Sequence, residues 1–134
     1  MYYVGGGEKL TLGASDDGTW KGDYWNILEG SKLFANTWYY VTGVFDATGL
    51  KVYINGTLST ETTLPGITSI DVNESNFMMG AILGSTGVMS NYYKGAIDEV
   101  RISDVARSAS WIKGEYSYGG GDNTSLTFGT EIEQ

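Results

Sequence analysis

The sequence predicts an all-β fold: an antiparallel β-sandwich carrying one short C-terminal helix. Three observations carry that prediction. Short segments alternate apolar and polar residues at period two, the signature of half-buried strands. Twenty glycines and a single proline in 134 residues supply turns between them. One stretch, from Ser108 to Gly114, has helix-start and helix-stop chemistry, with Trp111 and Ile112 on its inner face. There is no internal repeat, and a chain of this length is one domain, residues 1–134, able to bury a core without staples.

The elements follow in order. Tyr2 to Val4 opens as a strand, and Lys9 to Gly13 is a weak one with Leu10 and Leu12 on one face. Asp16 to Asn26 sets Trp20, Tyr24 and Trp25 beside Asp16, Asp17 and Asp23, among glycines that mark a loop. Asn26 to Leu33 is a strand and turn. Trp38–Asp46 and Leu50–Asn55 form a hairpin, and the apolar residues on both faces of its first strand argue for a central strand or a bulge. Asn55-Gly56 suits a two-residue type I′ turn into a polar edge strand, Thr57 to Thr63. Ile67–Val72 and Phe77–Leu83 read as further strands, the second buried-looking. The oxygen-rich group Asp71, Asn73, Glu74 and Asn76 could hold calcium, but four such residues in a turn are more often solvated turn chemistry, and the spacing is not that of the EF-hand loop.

The stretch from Tyr92 to Tyr116 organises the rest. As a strand, its first part puts Ala96, Asp98, Val100 and Ile102 on one face and Ile97, Glu99 and Arg101 on the other. Asp98 then sits among apolar neighbours on the face to be buried, where a carboxylate needs backbone donors, a cation or a metal. After Ile102 comes the helix, whose indole Trp111 is placed to plug an open end of the sandwich. Ser117 to Asn123 resembles a linker before a last strand, Ser125 to Ile132.

Composition excludes several functions. Without cysteine or histidine the chain has no disulfide, no thiolate or imidazole zinc site, and no Ser-His or Cys-His catalysis. With 16 acidic residues against 8 basic ones the net charge is −8, and no basic run interleaves with aromatics, so nucleic acid is not an expected partner. No segment approaches the length of a membrane helix and the N-terminus has no signal-peptide pattern, so an exported parent would contain this chain as one module or after a cleaved signal.

Two motifs carry a resemblance. Gly95-x-Ile-Asp-Glu-Val-Arg-Ile102, followed by Ala106-Arg-Ser-x-x-Trp-Ile-Lys-x-Glu-Tyr116, resembles the C-terminal signature of laminin-G-like jelly rolls of the concanavalin-A-like lectin/glucanase superfamily. Upstream, Asn36-Thr-Trp38-Tyr-Tyr-Val41, Phe45-Asp46 and Leu50-Lys-Val-Tyr53-Ile-Asn55-Gly56 are similar to the hairpin of the same family, which implies that Trp38 lies in the core. The resemblance covers residues from about 36 to 116 and implies a jelly roll more firmly than it implies a function, because this fold hosts lectins, adhesion modules and hydrolases alike. It also implies that an aspartate in the position of Asp98 helps hold a structural calcium ion; protein donors such as backbone N–H groups or Arg101 are the alternative.

The expected function is a non-catalytic, lectin-like carbohydrate-binding module of a larger secreted or surface protein. Aromatic faces stack on sugar rings while carboxylates accept hydroxyl hydrogen bonds, which makes Trp20, Asp23, Tyr24, Trp25 and Tyr92 the candidate ligand-binding residues. Trp25 reads equally well as the inward-facing start of a strand, and inward packing of either Tyr92 or Tyr93 is expected. The alternative is an adhesion or spacer module with protein partners. A glycoside hydrolase fits less well: it needs same-face carboxylates flanking the bond, and a regular strand sends Asp98 and Glu99 to opposite faces.

Overall fold

The computed structural model describes residues 9–14, 27–63, 69, 77–83, 87–90 and 92–121. Its centre is a three-stranded antiparallel sheet in the order β3–β4–β5, formed by Val41–Asp46, Gly49–Ile54 and Thr57–Thr62. Before it, β1 (Lys9–Gly13) pairs with β2 (Ile27–Lys32); after it, β6 (Ile82–Leu83) pairs with β7 (Met89–Ser90). One helix, α1, spans Ala109–Tyr116.

Turn chemistry sets the register of the central sheet. Asp46 faces Gly49 across the two-residue turn Ala47-Thr48. The Asp46 carboxylate accepts the Thr48 N–H at 2.7 Å and the Lys51 ammonium at 2.6 Å. The Lys51 side-chain bond, followed by that of Thr48, lowers the Asp46 pKa from 3.8 to about 2. Because the folded-state pKa is depressed, this contribution is fully present above pH 3.8 and is lost as the pH falls through about 2. The pair is partly open to water, so the effect is small. A pH series of urea melts will therefore show the wild type losing slightly more stability than Asp46→Asn over that acid window.

At the other end of β4, Asn55 (φ 51°) and Gly56 (φ 72°) both take the left-handed conformation of the expected type I′ turn. Asn55 fixes the start of β3 twice: its N–H donates to the Tyr40 carbonyl at 2.8 Å, and its Oδ1 accepts the Tyr40 N–H at 3.0 Å.

The pleat of β4 divides the core between the two faces of this sheet. Leu50 and Val52 are buried on one face, with Leu10, Leu12, Phe45 and Ile54 packed on them, so the β1–β2 hairpin covers that side. Gly43 is the point of closest approach: a Cβ there would lie 2.9 Å from a Leu12 methyl. Val44 and Tyr53 face the other way and are closed over by Ile112 of α1, with Tyr40 at the margin. The helix crosses the Asn55-Gly56 turn so tightly that a Cβ on Gly56 would meet Lys113 Cα at 3.2 Å. Ser108 caps α1 as expected, its hydroxyl accepting the Trp111 N–H at 3.2 Å.

Several expectations are corrected. The helix does not end at Gly114 but runs to Tyr116 and on through a π-helical turn at Ser117–Gly121, so the linker reading of that stretch fails over its first residues. There the N–H of Ser117 bonds back to the carbonyls of Lys113 and Gly114, and its side chain is buried. Ile112, fully buried, is the plug; Trp111 is 41% exposed, with the Arg107 guanidinium 4.9 Å from its ring centre. The central strand is β4, while β3 pairs on one side only among the described residues, and Trp38 lies before its start, 68% exposed. Phe77 and Met79 are exposed and precede a strand of two residues. The largest departure is at 92–103, where the expected strand has no ladder partner among the described residues. Tyr2–Val4, Ile67–Val72 (except Ser69), the Asp71–Asn76 group and the last strand lie outside the described residues.

Candidate functional site

The aromatic surface that can be described follows β7. Tyr93, past the end of β7, donates its N–H to the Gly80 carbonyl at 2.7 Å, just before β6. Gly80 takes φ 76° at this point. Tyr92, with its hydroxyl 3.4 Å from the Met89 carbonyl, is 66% exposed. Tyr93 is 60% exposed, and its ring lies over Gly95, where a Cβ would meet the phenol oxygen at 2.7 Å. Neither tyrosine packs inward, contrary to the expectation that one would. Two exposed phenol rings side by side in the chain offer apolar faces and hydroxyl donors together, the combination that sugars engage.

Trp20, Asp23, Tyr24 and Trp25 lie outside the described residues, so the structure does not place them relative to Tyr92. It adds exposed aromatics that the strand pattern had assigned inward or left aside: Tyr93, Trp38, and Phe34, whose ring lies 5.6 Å from the Lys32 ammonium. The signal for Trp38 was present in its neighbours. Asn36, at φ 58°, belongs to a turn, and the loop does not enter the ladder until Val41.

Asp98 is exposed, and with it the reason for a compensating metal disappears. Glu99 takes φ 51°, which breaks the period-two alternation, and Asp98 Oδ1 accepts the Glu99 N–H at 2.9 Å. The Glu99 carboxylate meets Arg101 at 3.3 Å, and the second arm of Arg101 reaches Glu115 on α1. No three acidic side chains gather around a common point among the described residues. Among the described residues, Asp98 therefore has no acidic cluster around it toward the six or more oxygen ligands that a calcium ion calls for.

A family model described as the concanavalin A-like lectin/glucanases superfamily, of the laminin G type, matches residues 1–113. Among solved structures, the chain is similar to an S-layer domain-containing protein (residues 221–444) from Clostridium thermocellum, at 30% identity and a TM-score of 0.44. That match covers 70% of this chain and 47% of the other, so the chain spans about half its length. No curated protein matches.

Proposed function

We propose that this chain, which belongs to the concanavalin A-like lectin/glucanase superfamily, is a non-catalytic carbohydrate-binding jelly roll of a secreted or surface protein. The observation that supports the reading is the pair of exposed rings Tyr92 and Tyr93, with the Tyr93 N–H bonded to the Gly80 carbonyl. The ligand is a neutral polysaccharide, because a net charge of −8 repels acidic chains. Trp20, Asp23, Tyr24 and Trp25 are proposed to extend the same surface. A non-catalytic role suits a chain without histidine or cysteine to activate a nucleophile. No described helix is long and apolar enough to cross a membrane.

Affinity electrophoresis through gels containing neutral polysaccharides tests this. The wild type is expected to be retarded by at least one of them, and Tyr92→Ala with Tyr93→Ala to lose most of the retardation, with the melting temperature within about 2 °C, as for substitutions of exposed side chains. Unchanged retardation in the double variant would remove these tyrosines from the site.

The adhesion or spacer reading also has support. Ile97, Val100, Ile102 and Val105 are all about half exposed or more along a segment without ladder partners among the described residues, and exposed apolar runs mark protein contacts. Retention by no glycan, together with Tyr92 and Tyr93 silent, would favour that reading.

A further inference from the structure

We infer that the acidic turn at Asp98-Glu99 is organised by the guanidinium of Arg101 and not by a calcium ion. A cation is needed where a carboxylate is buried, and neither acid of this turn is: the Glu99 side chain is 75% exposed, and Asp98 reaches water once Glu99 has left the strand conformation. The Asp98 carboxylate already has a protein donor in the Glu99 N–H. The Glu99 carboxylate has another in Arg101. Arg101 also holds Glu115, the least exposed member of the group at 28%. Its planar, forked donors therefore tie a segment that lacks ladder partners among the described residues to the helix whose Ile112 closes the core. A compact ammonium or a metal centred on Asp98 would not bridge those two carboxylates.

The test is the thermal transition of the whole chain in millimolar calcium and in EDTA. The expected transition is the same in both, for the wild type and for Asp98→Asn. Arg101→Gln is expected to melt about 2–4 °C lower, the scale of an exposed charge network. Glu115→Gln should fall by a similar amount, the double variant no further than the lower single, and the loss should shrink in high salt. If Arg101→Gln does not fold, Arg101→Lys reports instead, with an intermediate decrease. Calcium binding only the folded chain must raise the transition with concentration. A rise in the wild type that Asp98→Asn abolishes overturns the inference, and so does an Arg101→Gln protein that melts like the wild type.

Discussion

Ile112→Ala is expected to destabilise the domain by about 3 kcal/mol, within the range for large-to-small core changes. Ile112 is fully buried and packs on Val44 and Tyr53, on the face of the sheet that the β1–β2 hairpin does not cover. Truncation leaves a void that a helix pinned at the Ser108 cap and at the Gly56 crossing cannot move to fill. Trp111→Ala makes the contrast. The larger side chain is 41% exposed and stacked by Arg107, so its loss should cost only about 1 kcal/mol. Urea melts with an unchanged m-value will show the order. A greater loss for Trp111 than for Ile112 would mean that α1 presents its other face to the sheet.

Gly49→Ala is expected to be worse, costing more than about 3 kcal/mol or preventing folding, because backbone strain and a backbone collision fall on one residue. Gly49 opens β4 at φ 133°, where an L side chain is rarely found, and an added Cβ would lie 2.0 Å from the Thr62 carbonyl oxygen. That oxygen cannot withdraw without loosening the pairing of Leu50 with Thr62. Leu50 is in the core, so the damage spreads from the turn to the sheet. Gly87→Ala separates the two causes. Its φ is 77°, and nothing among the described residues lies within 4 Å of an added Cβ, so the conformational cost of about 1 kcal/mol is what is expected. Equal losses at Gly49 and Gly87, read by denaturant midpoint, would show that contact with Thr62 is not the cause.

What the sequence determined by itself is local. The hairpin β3–β4, the Asn55-Gly56 turn, the polar strand β5 and the Ser108 cap could all be read from residues a few positions apart. There the physics is equally local: positive φ favours Asn and Gly, and a hydroxyl reaches the N–H three residues on. The two motifs likewise pointed to the superfamily that the family match shows.

The tertiary structure alone decided which apolar residues are covered. Trp38, Trp111, Tyr92 and Tyr93 are large and exposed while Leu50 and Ile112 are buried, and period two or 3.6 says only that residues share a face, not that another element lies over it. Asp98 shows the same limit for charge. Alternation placed it among apolar neighbours, and one left-handed residue at Glu99 undid the alternation. Glu is not a residue whose preference announces φ 51°, so no pattern could have foreseen it. The pairing of Arg101 with Glu115, 14 residues apart, likewise exists only once the helix has docked on the sheet. Burial and charge pairing depend on what lies across from a residue in space, and only the packed chain supplies that partner.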